Sequence, residues 1–476
     1  MIYIVKSCTL YGISGYIVDV EIDLSNGLPG FDIVGLPDAA VKESRERVRA
    51  AVKNSDYQFP QKRITVNLAP ADIRKEGSIF DLAIAAGILK VCGEITCESL
   101  DGIAFLGELS LDGTVKGIKG ILPMCIELKN GGINKVIVSK ENADEAALIK
   151  GMDIFGVENI KEMVEFLNGR SELSKHVVDI EKYFLADDFY DFDFRDVKGQ
   201  ETAKRALEIA AAGGHNVIMI GPPGSGKTML AKRLPSILPD MSFEESLEVT
   251  KIYSVSGLLK DRSSLITKRP FRAPHHTMSA ASLIGGGRIP HPGEVSLSHY
   301  GVLFLDEMPE FPKHVLEVLR QPLEDENVTI SRVNGSITYP AKFILISSVN
   351  PCPCGYFGDE SNRCTCSVMQ IKNYMGKISG PLMDRIDLHI EVAPIKFNDI
   401  SDTSKCESSK QIKDRVNKAR KIQMDRYKQE GIYFNSQLKP KHITTYCSIG
   451  SQEKQILKHA FEKYNLSARA YNRILK

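Results

Sequence analysis

The sequence has no tryptophan, no apolar run of membrane-spanning length and almost no excess of either charge, with 61 lysines and arginines against 60 acidic residues. A helix needs about 20 consecutive apolar residues to cross a bilayer, so a helical integral membrane protein is excluded. The first residues, MIYIVKSCTLYGISG, lack a basic segment followed by an uninterrupted apolar one, the pattern of a secretory signal. The expected location is cytoplasmic. A net charge of +1 excludes a chain that is basic throughout, yet leaves nucleic acid open, because a neutral chain can gather basic side chains on one face. In a reducing compartment the ten cysteines are read as thiols or metal ligands rather than disulfides. Hydrophobic content of 43% and charged content of 25% over 476 residues describe an ordinary globular chain of about three domains.

What is present is organised around Asn216–Ala231, NVIMIGPPGSGKTMLA. The apolar run Val217 to Ile220 reads as a buried strand and is followed by the turn Gly221, Pro222, Pro223, Gly224, Ser225, Gly226. Lys227 and Thr228 then open a helical pattern. The turn satisfies G-x-x-x-x-G-K-T in the strand, loop and helix context that makes this octet specific. Glycines let successive backbone N–H groups converge on phosphate oxygens at the positive end of the following helix. Lys227 neutralises the β and γ phosphates and the Thr228 hydroxyl takes a Mg²⁺ position. ATP and Mg²⁺ are therefore the expected cofactors.

Two further strands end in polar residues. GVLFLDE (Gly301 to Glu307) places Asp306 to hold Mg²⁺ and Glu307 to act as general base on the attacking water. FILISSVNP (Phe343 to Pro351) ends in Asn350, whose amide can orient that water. Directly after it, CPCGYFGDESNRCTC brings Cys352, Cys354, Cys364 and Cys366 into one short loop. Two C-x-C pairs can supply four thiolates to a structural Zn²⁺, with a buried thiol cluster or a redox pair as the alternatives.

Around these motifs the chain divides into residues 1–170, a front α/β or α+β domain; 171–196, an acidic, aromatic linker; 197–394, the nucleotide core; 395–410, a polar, Ser-rich linker; and 411–476, a helical end. In the front domain, strands are expected over Gly15–Leu24, Arg63–Leu68 and Lys135–Val138, with helices over Asp38–Lys53 and Ser78–Val91. DVKGQETAKRALEIAAAGGHN (Asp196 to Asn216) reads as a turn, a helix from about Gln200 to Ala212 and a Gly-Gly stop. VTISRVNGSITYP (Val328 to Pro340) reads as a hairpin turning at Asn334-Gly335. The helical pattern runs to Lys476 without a stop signal, so the terminal helical domain is expected to be truncated there.

Several stretches carry resemblances. IRKEGSIFDLAIAAGIL (Ile73 to Leu89) and LGELSLDGTVKGIKGILPMCIELKNGGINKVIVSKEN (Leu106 to Asn142) resemble the proteolytic domain of Lon-type proteases, which has the fold of ribosomal protein S5 domain 2. Ile79 stands where that family's serine belongs and Leu122 where its lysine belongs. Neither can attack or shuttle a proton. Ser78 and Lys119 lie nearby, so a shifted dyad is the alternative to a non-catalytic scaffold. The span from Asp196 to Val392, above all PFRAPHHTMSAASLIGGGRIPHPGEVSLSHYGVLFLDEMPEF (Pro270 to Phe311), resembles the magnesium chelatase-like AAA+ ATPases of the ComM/YifB family. Together the resemblances imply an α/β multidomain protein: an S5 domain 2-like front domain, an AAA+ P-loop NTPase core and a C-terminal helical lid.

The family likeness also implies roles. Val197 and Gln200 are candidate base contacts, Asn350 is sensor 1, and Arg469 in LSARAYNRILK is the sensor 2 arginine. Arg385 in SGPLMDRIDLHIEV resembles an arginine finger that reaches the next subunit's γ phosphate; a salt bridge to Asp384 or Asp387 is the alternative. A finger in trans implies a homo-oligomer, in this family a hexamer. Insertions into a central pore put Lys268, Arg269, Arg272 and Arg332 forward as contacts to DNA, single-stranded or branched, with His275 and His276 beside them. The implied activity is an ATP-driven helicase or branch-migration motor for recombination or transformation. The alternative is a chelatase-like motor on a protein or metal-insertion complex.

Overall fold

The computed structural model describes the chain except residues 1, 186–189, 191, 260–263, 288–289, 333–334, 359–362 and 395–405 and the side chains of Leu185 and Arg332. Most of the 395–410 linker and Asn334 of the hairpin turn therefore lie outside the described residues. Contacts divide the chain into two units, Met1–Ala186 with Ser246–Ile266, and Asp187–Glu245 with Thr267–Lys476.

The first unit is built on a seven-stranded mixed sheet, in the order Gly30–Val34, Arg63–Ala69, Ser14–Ser25, Ile2–Tyr11, Ile103–Leu106, Lys135–Ser139, Asp153–Val157. Val18, Val20 and Ile22 recur at period two and are fully buried, which fixes the register because a one-residue slip would turn them all to the other face. Helix Ala39–Asn54 starts where Asp38 accepts the Val41 N–H at 2.8 Å, and its buried face is Val41, Val48, Ala51 and Val52. Helix Asp81–Val91 is apolar on nearly every side and buried over nine consecutive residues, the signature of a helix enclosed by its own domain. Its one buried charge, Asp81, is held by the Arg47 guanidinium at 2.7 and 3.2 Å. Ser78 bonds to the Glu108 carboxylate, while the Lys119 stem packs on Gly257.

Segment Ser246–Ile266 is attached to this unit by polar contacts. The Gly120 N–H donates to the Ser254 carbonyl at 3.2 Å, and the Ser254 hydroxyl donates to the buried Glu145 carboxylate. The continuous domains written from the sequence do not anticipate this excursion.

The second unit is organised by a five-stranded parallel sheet in the order Phe271–Arg272, Val302–Leu305, Ile344–Val349, Val217–Ile220, Leu388–Glu391. Strands Val217–Ile220 and Val302–Leu305 are short unbroken apolar runs and Ile344–Val349 is buried throughout, as expected of strands covered on both faces. Helices Glu201–Gly213, Lys227–Arg233 and Ser409–Arg426 contribute Leu207, Leu230, Ile412 and Val416 to the same core. Strands Asn327–Arg332 and Gly335–Pro340 form the expected hairpin, but Gly335 pairs with Arg332 in the strand and so does not lie in the turn as the Asn334-Gly335 reading had it. Helices Pro440–Tyr446, Ser451–Tyr464 and Ala468–Leu475 make up the end of the chain. No helix among the described residues is long and apolar enough to cross a membrane.

Candidate functional site

Strand register assembles the site. Ile220 pairs with Val349, and Leu305 pairs with Ser347, so Gly221, Asp306 and Asn350 all leave the sheet at the same carboxyl edge, where open parallel sheets present their ligands.

At that edge the chain passes too close to its neighbour for a side chain. A Cβ on Gly221 would lie 2.2 Å from the Val392 carbonyl oxygen. Gly226, at φ 90°, makes the left-handed turn into helix Lys227–Arg233. Lys227 Nζ folds back over the loop, donating to the carbonyls of Gly221 at 2.6 Å and Pro222 at 2.8 Å and to Asn350 Oδ1 at 3.3 Å. Burial pulls the Lys227 pKa down, with the Asp306 and Glu307 carboxylates opposing.

The Thr228 hydroxyl donates to Asp306 Oδ2 at 2.9 Å. A hydroxyl and a carboxylate converging on one point are the oxygen donors a hard cation such as Mg²⁺ takes, alongside waters and phosphate oxygens, so the residues present fit that ion. Ser348 bonds the other Asp306 oxygen and also accepts the Glu307 N–H at 3.0 Å. Glu307 sits in the left-handed region at φ 50° with its side chain exposed, a conformation that costs a non-glycine residue roughly 1–3 kcal/mol and persists only when its surroundings impose it. Ser348 is absent from the sequence-based site. The signal was its place two residues before Asn350 on a strand that the register aligns with the Asp306 strand.

Val197 is buried in the core, and Gln200, at φ 61°, donates its amide to the carbonyls of Ala393 at 2.6 Å and Ser225 at 3.2 Å. Gln200 thereby ties the segment before the helix to the phosphate loop. The two expected arginines meet each other's partner: Arg385 pairs with Glu324 Oε2 at 2.6 Å and Arg469 with Glu324 Oε1 at 3.2 Å. Arg385 is almost wholly buried and also bonds the Pro381 carbonyl. Its acidic partner is thus neither Asp384 nor Asp387; Asp387 is occupied by Arg473 at 2.9 Å and His215 at 3.2 Å.

Of the basic candidates for DNA, Arg269 requires correction. It is buried and committed to Glu245 at 3.0 Å and to the carbonyls of Pro239, Asp240 and Tyr300, so in this structure its guanidinium braces the chain rather than facing a surface. Arg272 forms a bidentate pair with Glu294 at 2.6 and 2.7 Å. Lys268 lies 5.8 Å from the Tyr190 ring centroid, and the rings of His275 and His276 stack at 4.1 Å. The Arg332 side chain lies outside the described atoms.

The four loop cysteines do converge. All four Sγ atoms lie within 4.8 Å of one another. Backbone N–H groups, that of Tyr356 foremost, hold the Cys354 thiol down to about 6, while desolvation and the neighbouring thiols push Cys364 and Cys366 up against the backbone N–H bonds they accept.

Comparison with known proteins places this geometry. Residues 193–400 match the family described as magnesium chelatase, subunit ChlI; residues 406–476 match its C-terminal part, and residues 20–142 match subunit ChlI of Mg-chelatase. Competence protein ComM of Haemophilus influenzae is 43% identical over 479 residues, covering 99% of this chain and 92% of its own length. The chain belongs to the magnesium chelatase-like ComM/YifB family. Another relative in this family, the uncharacterized protein YifB of Escherichia coli, is 42% identical over 99% of this chain and 91% of its own. The magnesium-chelatase 38 kDa subunit of Cereibacter sphaeroides is 24% identical over 176 residues, only 34% of this chain. Likeness to ComM and YifB thus runs through both units, whereas the match to the Cereibacter sphaeroides subunit itself covers a third of the chain.

Proposed function

We propose that this protein is a ring-forming AAA+ ATPase that converts ATP hydrolysis into movement on DNA, single-stranded or branched, as a helicase or branch-migration motor in recombination or transformation. The observation that carries the ATPase is the meeting of Lys227, Thr228, Asp306 and Asn350 at one sheet edge beside the exposed Glu307. Gly221 to Gly226 wrap the triphosphate with backbone N–H groups, and Lys227 trades its loop carbonyls for β and γ phosphate oxygens. Thr228 and Asp306 would hold Mg²⁺, which would supply positive charge against the phosphates. Glu307 takes the proton of the attacking water, Asn350 orients that water, and Arg385 of the adjoining subunit in a hexamer bridges the developing charge. Arg469 serves as the second sensor.

DNA as the partner is supported by the full-length likeness to a protein named for competence. The N-terminal unit is read as an S5-like scaffold rather than a protease, since Ile79 and Leu122 carry no nucleophile or base and Ser78 is engaged by Glu108. The cysteine loop holds a structural zinc.

ATPase rates with single-stranded DNA, forked DNA, a porphyrin and an unfolded protein test the reading. Stimulation by DNA alone is expected; stimulation by porphyrin alone would replace the DNA motor with a chelatase-like one. Glu307→Gln is expected to bind ATP like the parent and to lose turnover by roughly 100-fold or more, as loss of a general base does. Unchanged turnover would remove Glu307 from its role.

A further inference from the structure

We infer that the metal on Cys352, Cys354, Cys364 and Cys366 is what keeps the phosphate loop in its nucleotide-binding form, so that zinc occupancy sets ATP affinity. The inference rests on the nucleotide site proposed above and adds to it a metal site that regulates it.

The sulfur geometry distinguishes metal from other uses of cysteine. Cys352 Sγ lies 3.3 Å from Cys354 Sγ and 3.7 Å from Cys364 Sγ, and Cys354 Sγ lies 3.6 Å from Cys364 Sγ. A tetrahedral zinc with Zn–S bonds of about 2.3 Å places its sulfurs about 3.8 Å apart, whereas a disulfide needs about 2.05 Å. All four are free thiols. Their separations therefore suit four ligands around one ion and no pairwise bond. The Phe357 N–H donates to Cys352 Sγ at 3.3 Å, the kind of backbone support that orients a metal-bound thiolate. Cys352 is fully buried and the other three are partly exposed, which leaves a side from which an ion can enter.

Two contacts connect this cluster to the phosphate loop. The chain runs from Asn350, which accepts from Lys227 at 3.3 Å, through Pro351 into the ligand Cys352. On the other side, Gly355 lies directly on Pro223 of the phosphate loop. A Cβ there would come within 2.6 Å of both the Cδ and Cγ of Pro223, and Gly355 has φ +84°. The Gly355 N–H closes a turn onto the Cys352 carbonyl at 2.9 Å, so the residue that touches Pro223 is fixed by the residue that binds metal. The segment 350–367 contains neither helix nor strand among its described residues. Four metal bonds are thus its strongest cross-links, and releasing them frees both Asn350 and the wall behind Pro223.

The experiment uses the full chain, purified under reducing conditions. Zinc is counted by elemental analysis, and affinity for a fluorescent ATP analogue with magnesium is measured before and after zinc removal by a chelator. One zinc per chain is expected, with affinity falling about tenfold or more on removal and returning when zinc is restored. Cys364→Ser with Cys366→Ser should lose both zinc and affinity. Gly355→Ala keeps all four ligands and should retain zinc while weakening ATP binding, because its methyl group meets Pro223. Absence of zinc from fresh protein overturns the metal site. Stoichiometric zinc whose removal leaves ATP affinity unchanged overturns the coupling. If the zinc-loaded parent binds no ATP, the nucleotide site itself fails, and the zinc count is unaffected by that result.

Discussion

Ser348 sets the direction of both acidic residues at the strand edge. One hydroxyl donates to Asp306 and accepts the Glu307 N–H, and its backbone neighbours lead straight to Asn350. Ser348→Ala leaves Lys227 and the glycines untouched, so ATP affinity should hold within about twofold. Turnover should fall about tenfold, the effect of losing one oriented hydrogen bond at roughly 1.4 kcal/mol. Steady-state kinetics decide it: a raised KM at constant kcat would place Ser348 in binding instead. The same scale shows what two of the basic residues do within the chain. Arg269 and Arg272 look alike in sequence, and both turn out to be held by acidic partners within the chain, Glu245 and Glu294. A charge pattern records that an arginine is present, and only its surroundings say whether its charge is already used.

The element that sequence patterning misses is Ser246–Ile266, which takes in helix Phe243–Ser256 from its fourth residue and belongs with the N-terminal unit. Its anchor is Glu145, whose carboxylate accepts from the Leu122 N–H at 3.0 Å and from Ser254. Burial pushes the Glu145 carboxyl up to about 7, against these two donors, which favour the ionised form. The folded pKa lies above the ordinary value of 4.5, so between about pH 4.5 and 7 the folded chain keeps a proton that the unfolded chain has released. Stability contributed by this group is therefore present below pH 4.5, falls as pH rises and levels off above pH 7; the whole change is on the order of 3 kcal/mol. Glu145→Gln keeps the acceptor and removes the titration. Denaturant unfolding of the full chain should show the variant gaining on the parent as pH rises from 5 to 7, and parallel curves would assign the pH dependence elsewhere.

For the whole molecule the decisive fact is that Arg385 and Arg469 share Glu324 and not the phosphate loop of their own chain. In the proposed ring, Arg385 gives up Glu324 for the neighbour's γ phosphate. Arg385→Ala and Lys227→Ala should each abolish turnover, the first by about 1,000-fold with ATP still bound, the second by loss of binding. Mixed together, the two inactive proteins should regain ATPase activity, because some interfaces then pair an intact loop with an intact arginine. No recovery on mixing, in a preparation shown to co-assemble, would make Arg385 a residue of its own site. Local sequence was enough for the phosphate loop, the Asp306-Glu307 strand end, the Asn350 strand and the family, because each is a local pattern: a short apolar run fixes a strand, and the residue after it must emerge at the edge. It also placed four cysteines within one loop. It took the folded chain to show that their sulfurs meet, that Gly355 rests on Pro223, that Ser348 joins the Asp306 carboxylate to the Glu307 backbone, that Arg269 is buried, that Glu324 gathers two distant arginines and that Ser246–Ile266 joins the other unit. Each of these depends on side chains far apart in the chain being brought together by strand register and core packing, and no local pattern encodes which residue will stand across the gap.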